Sequence, residues 1–169
     1  YLPAAELSKR KSSTASNPQF EYARKLFLFS YYCYGISFID MAMLTAAHIK
    51  QMEDGDYIVY KRQKIKRQKG VKPISIKITP AIRQLIGSLQ AASPTVDDFL
   101  LPIVTRSGYT GERLYMHIRT RYSKYQKYLR LLAEELGIDF HLTSYVSRHT
   151  AAMTLQRNNI PREVISQML

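Results

Sequence analysis

Acidic residues, cysteines and glycine-rich loops are all scarce in this chain, and each shortage removes a class of function. Cys33 is the single cysteine, so there is no intrachain disulfide and no cysteine-rich metal site, which suits a reducing compartment. No glycine-rich phosphate loop of the nucleotide-binding kinds occurs, and no His, Cys and Asp spacing matches a metal site; neither ATP nor zinc is implied. The N-terminus, Tyr1-Leu2-Pro3, begins without Met and has no signal-peptide pattern, which predicts a piece of a longer protein. Only 13 Asp and Glu stand against 25 Lys and Arg, a formal charge of +12, and the isoelectric point is near 9.8. A positive field of that size attracts a polyanion or an anionic membrane surface. What is present is ample hydrophobic material: 46% of 169 residues, against 22% charged. That balance fits a single fold with a real core and excludes disorder or a coiled coil.

The stretch Leu26–Leu44 carries one charge, Asp40, and approaches the roughly 20 residues that span a bilayer. Gly35 interrupts it, and Ser37-x-x-Asp40 resembles a capping box that opens a new helix. The pattern therefore predicts two buried helices, Pro18–Tyr34 and Ser37–Leu44, and no membrane span. Upstream, a short helix is expected near Ala4–Lys11, then a mobile polar loop over Ser12–Asn17. Downstream, alternation predicts strands at His48–Gln51, Asp56–Gln63 and Pro73–Thr79, with Glu53–Asp56 as the first turn and Ile65–Lys72 as the second connection. Pro80 sits at the first turn of a helix Pro80–Ala92, and Phe99–Pro102 marks a short buried connection. A long helix Gly111–Leu136 ends at Gly137, another runs from Thr143 to about Asn158, and Pro161 starts a last one. The fold class expected is α+β, mostly α, with one small three-stranded antiparallel sheet.

Positive charge concentrates in two places. Lys61, Arg62, Lys64, Lys66, Arg67, Lys69 and Lys72 surround the turn between the second and third strands. Such a ribbon suits contact with nucleic-acid phosphates; the alternative is a solvated hairpin whose lysines protect a sheet edge. The second cluster, Arg113, His117, Arg119, Arg121, Lys124, Lys127 and Arg130, shares the long helix with Tyr115, Tyr122, Tyr125 and Tyr128. Interleaved cations and aromatics can grip a nucleic-acid backbone, and the same tyrosines can equally form the core stripe of an amphipathic helix.

In Leu142–Thr150 and the residues after it, Val146, His149 and Met153 fall on one arc with Tyr145 and Ala152, opposite Ser147, Thr150, Thr154 and Asn158. Arg148 lies inside the apolar arc. An arginine on a packing face needs a neutralising partner, either a buried carboxylate such as Asp40 or a bound anion, and the guanidinium grips phosphate bidentately. His149 reads equally as a core histidine.

These blocks resemble the tyrosine recombinases, or phage-type integrases, in the branch carried by mobile elements of gut bacteria. Tyr22–Ser30 followed by Gly35–Ala42 resembles the paired helices that open the family's catalytic domain; Tyr60-Lys61-Arg62-Gln63-Lys64 resembles the strand leading into its hairpin lysine. Leu142–Thr150 resembles its His-x-x-Arg box. The resemblance implies one catalytic domain over residues 1–169 and a DNA integrase or site-specific recombinase. In that chemistry a tyrosine attacks a phosphodiester to give a 3′-phosphotyrosyl link, arginines hold the non-bridging oxygens, and a lysine protonates the leaving 5′-oxygen, without metal or cofactor. By matched position Arg148 is the second arginine and Lys64 the general acid. Lys61, Arg62, Lys66, Arg67, Lys69, Arg119, Arg121 and Lys124 are the expected DNA-binding residues. Duplex DNA, self-association into a recombinase tetramer on DNA and a bacterial cytoplasmic location follow from the same likeness.

Three departures stand out. Ser37 occupies the place of the family's first arginine, and Tyr34, one turn earlier, is not an arginine either. Tyr145 replaces the first histidine of the box. No tyrosine follows Tyr145, so the nucleophile has no match and this stretch alone is expected not to cleave DNA. The missing first arginine keeps a second reading open, a non-catalytic sequence-specific DNA-binding protein on the same fold.

Overall fold

The computed structural model describes residues 17–138 and 142–168. The helix expected at Ala4–Lys11, and all but Asn17 of the polar stretch after it, lie outside the described residues. The helices are α1 (Pro18–Tyr32), α2 (Phe38–Met43), α3 (Pro80–Ala92), α4 (Gly111–Glu135), α5 (Ser144–Arg157) and α6 (Arg162–Met168). A short 3-10 turn at Ala46–His48 precedes strands β1 (Ile49–Met52), β2 (Gly55–Tyr60) and β3 (Ile74–Lys77). This is the expected α+β architecture, mostly helical, with a three-stranded antiparallel meander in the order β1-β2-β3. The chain forms two compact units. One holds the chain up to Ser37 and from Tyr122 onward, the other Phe38–Arg121.

In the first unit, α1 starts where Asn17 accepts the N–H of Gln19 at 2.8 Å, with Pro18 in the first turn. Its run Leu26-Phe27-Leu28-Phe29-Ser30 is buried on every side. The helix ends in a Schellman motif: Tyr34 N–H donates to the Tyr31 carbonyl and Gly35 N–H to the Ser30 carbonyl. Tyr34 (φ 57) and Gly35 (φ 79) are both left-handed, so the apolar run is turned sharply between α1 and α2. No described helix is long and apolar enough to cross a membrane.

The sheet dominates the second unit, where Ile58, Tyr60 and Ile76 bury one face. Thr79 caps α3 by accepting the Ile82 N–H, and Pro80 sits just inside, as the sequence predicts. The connection through Leu100–Val104 is buried and joins Leu44 by its Leu100 N–H. Strand β2 is shorter than expected, stopping at Tyr60, because the Gln63 N–H is taken by the Asp40 carboxylate at 2.7 Å rather than by β3.

Helix α5 reverses the packing expected from its hydropathy. The buried side chains are Ser147, Thr150 and Ala151, while Tyr145 and His149 of the apolar arc are exposed. Size rather than polarity decides: small side chains let α5 approach α1 closely, and their hydroxyls are satisfied locally. Ser147 lies 2.8 Å from the Ser30 hydroxyl, and Thr154 donates to the Thr150 carbonyl while meeting the Tyr31 hydroxyl at 3.3 Å. Ala151→Leu is therefore expected to destabilise by about 1–3 kcal/mol through overpacking. Tyr145→Ala, on the exposed side, should stay within about 0.5 kcal/mol. Urea melts of both variants check the assignment, and the order reverses if the hydropathy arc is the packed one.

Candidate functional site

Arg148 is held by its stem. A Cβ placed on Gly35 would lie 2.5 Å from the Arg148 Cα, 2.7 Å from its Cγ and 2.8 Å from its Cβ, so the bare corner after α1 rests directly against this residue. The side chain is half-buried, yet its guanidinium makes no hydrogen bond or ion pair among the described residues. The buried-carboxylate alternative for Arg148 thus has no ion pair to support it. Asp40, itself 6% exposed, directs one oxygen at Gln63.

Neighbouring contacts hold α5 in place. The Ser30 hydroxyl reaches both the Ile36 carbonyl and the Ser147 hydroxyl at 2.8 Å, and Ser147 also lies 2.7 Å from the Ser144 carbonyl. Two hydroxyl protons face three contacts. Ser30 donates to the Ile36 carbonyl and Ser147 to the Ser144 carbonyl, which can accept a second hydrogen beside the helix bond from the Arg148 N–H, while the contact between the two hydroxyls can be donated from either side. At the N-terminus of α5, Gln126 of α4 accepts the Ser144 N–H at 3.1 Å, and Tyr122 meets the Ser144 hydroxyl at the same distance. A residue from another helix thereby supplies the cap that Thr143 does not. Tyr145 begins the first turn beside it and is 71% exposed.

Lys64 belongs to the second unit. It follows the Asp40–Gln63 contact by one residue and is exposed, in a loop turned by the Ile65 N–H to the Arg62 carbonyl and the Gln68 N–H to the Ile65 carbonyl. Three acids of this unit are engaged elsewhere: Asp54 with Lys77 and Tyr57, Asp56 with Arg83, Asp97 with Ser107 and Gly108. Among the described residues, no ion pair involves Lys61, Lys64, Lys66, Arg67, Lys69 or Lys72. An open depression of about 560 Å³ is lined by Lys61, Lys66 and Arg67 together with His48, Tyr60, Gln63 and Pro73.

The long helix divides its cations by task. His117 accepts the Thr105 N–H on Nε2 at 3.0 Å, a bond only the neutral ring can make, and stacks edge-on against Tyr109. Arg113 lies over the Tyr109 ring at 4.3 Å, and Arg121 Nε donates to the Ile103 carbonyl at 3.0 Å. These three secure the 103–109 segment, whereas Arg119 and Lys124 are exposed. The tyrosines divide as well. Tyr125 is core, its phenol pushed well above the ordinary range by burial and then by Tyr22 and Tyr122, and Tyr128 packs on Phe20. Tyr115 is 58% exposed. Burial likewise pushes the Cys33 thiol up, which leaves it inert.

Tyr34, Ser37, Tyr145 and Arg148 thus belong to the first unit; Lys61, Arg62, Lys64, Lys66, Arg67, Lys69, Arg119 and Arg121 to the second; and Lys124 to the first. Sequence reasoning missed Gly35, Ser30, Ser147 and Gln126 as the residues around Arg148. A glycine beside a serine-lined helix is the only signal they leave. No group of His, Cys, Asp or Glu among the described residues could hold a metal ion.

No family model matches the chain, and no curated protein matches it. Among solved structures, the crystal structure of XerA recombinase aligns with a TM-score of 0.64 at 19% identity, covering 100% of this chain and 54% of that one. The chain spans about half the length of that recombinase, and at this identity the likeness is one of fold.

Two outcomes follow from the geometry. Asp40→Ala should cost about 1–3 kcal/mol and speed amide exchange at Gln63, with Asp40→Asn, which keeps a carbonyl acceptor, losing less. Equal exchange in all three would remove Asp40 as the anchor. At Asp97, bonds from the Ser107 hydroxyl and then the Gly108 N–H hold the carboxyl below its ordinary 3.8. Because the folded value is depressed, the link is complete above the ordinary value and lost as pH falls through the lowered one. The Gly108 amide shift should therefore titrate with a midpoint below 3.8.

Proposed function

We propose that the chain is the catalytic domain of a tyrosine-type DNA recombinase or integrase, in the branch borne by mobile elements of gut bacteria. The observation that carries this reading is an Arg148 guanidinium with no protein partner among the described residues, together with Lys61, Lys64, Lys66, Arg67, Lys69 and Lys72 in no ion pair among them, on a fold like that of a recombinase. Uncompensated cations repel one another, and a bound polyanion relieves that cost.

In this reading Arg148 holds the non-bridging oxygens of a scissile phosphodiester, stabilising charge that grows in the transition state. Lys64 donates a proton to the 5′-oxygen as that bond breaks and the 3′-phosphotyrosyl bond forms. The attacking tyrosine is none of the residues matched here. The reading requires Arg148 and Lys64 to meet one phosphate, with Lys61, Arg62, Lys66, Arg67, Lys69, Arg119 and Lys124 on the flanking backbone. Arg121 contributes only what its bond to Ile103 leaves over. Duplex DNA is the partner, and the complete protein assembles on it as a tetramer in a bacterial cytoplasm.

A second reading, a non-catalytic DNA-binding protein, is favoured by one observation: Ser37 and Tyr34 stand where the family pattern calls for an arginine. Covalent protein–DNA product on a nicked suicide substrate, using the complete gene product, separates the two. Both require duplex binding that falls steeply with salt, about 10³–10⁵-fold between 50 and 200 mM for six to ten phosphate contacts. Absence of binding at low salt sinks both. For the enzyme, Arg148→Ala and Lys64→Ala should each slow cleavage about 10²-fold or more with duplex affinity nearly unchanged. Parallel losses in rate and affinity would reassign them to binding.

A further inference from the structure

We infer that Gly35 and Ser30 are positioning residues that aim Arg148, so that the left-handed corner after α1 acts as a seat for a side chain meant to meet an anion. This deepens the proposed function and rests on its assignment of Arg148 to phosphate. Three observations carry it. First, a Cβ on Gly35 would fall within 3.0 Å of the Arg148 Cα and of the first two carbons of its side chain, so any larger residue there must displace Arg148 or the corner. The other positive-φ glycine of this unit, Gly137 (φ 67), has nothing within 4 Å of the same construction, so the crowding at Gly35 is particular to that position. Second, the Ser30 hydroxyl links the corner, at the Ile36 carbonyl, to α5, at Ser147, the residue before Arg148. Third, the hold stops at the stem: no hydrogen bond or ion pair among the described residues engages the guanidinium. Fixing the carbons while leaving the planar head unoccupied lowers the ordering entropy an arriving phosphate must overcome, since a long arginine otherwise loses its rotamer freedom on binding.

A residue that merely stabilised the fold would alter melting without altering the Arg148 side chain in the folded protein. The two roles separate in the arginine Nε–H spectrum of the 169-residue chain, where the Arg148 signal is identified by its loss in R148K. In the parent protein this Nε–H, carried on a stem held as far as Cγ, should have an order parameter between the flexible limit of about 0.6 and the rigid-backbone value of about 0.85. In Gly35→Ala and in Ser30→Ala it should drop below about 0.6, the flexible range. Gly137→Ala, which adds backbone strain at an open position, should leave it unchanged. Duplex affinity should stay within about twofold throughout, one arginine being a small share of the phosphate contacts. Should Gly35→Ala not fold, Ser30→Ala decides. An Arg148 order parameter that is unchanged in Ser30→Ala, or that falls equally in Gly137→Ala, overturns the inference. Titration of the parent with a mixed-sequence duplex tests the underlying reading separately: a bound duplex that leaves the Arg148 signal unmoved removes Arg148 from phosphate contact, while the order comparison still judges the seat.

Discussion

The corner at Gly35 meets Arg148 so closely that a Cβ there would fall 2.5 Å from the Arg148 Cα, and much of the first unit's geometry follows from that contact. Two chain segments can come so near only if one has no side chain and the other presents small ones. Hence α5 turns Ser147, Thr150 and Ala151 toward α1 and leaves Tyr145 and His149 outside. Hydroxyls then replace the methyl groups of an ordinary helix contact, and each must find an acceptor because water is excluded. The Ser30–Ile36, Ser147–Ser144 and Thr154–Thr150 bonds meet that demand. The Schellman motif that makes the corner uses Tyr34 in the left-handed region, a conformation costing a non-glycine residue roughly 1–2 kcal/mol.

Charge is arranged with similar economy. In the second unit Asp40, Asp54, Asp56 and Asp97 each already have a donor, at the Gln63 amide, Tyr57, Arg83 and Ser107 respectively. Lys61, Lys64, Lys66, Arg67, Lys69 and Lys72, between β2 and β3, join no ion pair among the described residues, so part of the net +12 is concentrated there. The long helix shows why counting basic residues overstates such a surface. His117, Arg113 and Arg121 secure the 103–109 segment, so they are not simply solvent-facing cations.

Much of the fold was legible because local chemistry marks its own boundaries. Pro80 behind Thr79, Gly137 after α4 and the alternation through Ile58 and Ile76 each name an element without help from the rest of the chain. Two features were not legible, for related reasons. Strand β2 stops early because the Asp40 carboxylate, 23 residues away in sequence, takes the Gln63 N–H. Helix α5 packs by side-chain volume, which a hydropathy pattern does not weigh. Arg148 and Lys64 were singled out by their matched blocks, whereas the contacts around Arg148, from Gly35, Ser30 and the Gln126 cap, span the chain and leave no local pattern.

The Asp40–Gln63 tether also divides the basic loop into a fixed part and a free one. The strand ladder closes at Tyr60 opposite Ile74, and the tether fixes the chain as far as Gln63, so the residues from Lys64 to Pro73 answer to neither constraint. Lengthening such a loop costs only about 0.6 kcal/mol for each doubling. Insertions there are thermodynamically cheap, while any side chain at residue 35 is strained by its φ of 79 and crowded by Arg148. Over evolutionary time, related chains on this fold can thus change the reach of the cationic arm by inserting or deleting residues, and adapt to different ligands without redesigning the scaffold that carries it.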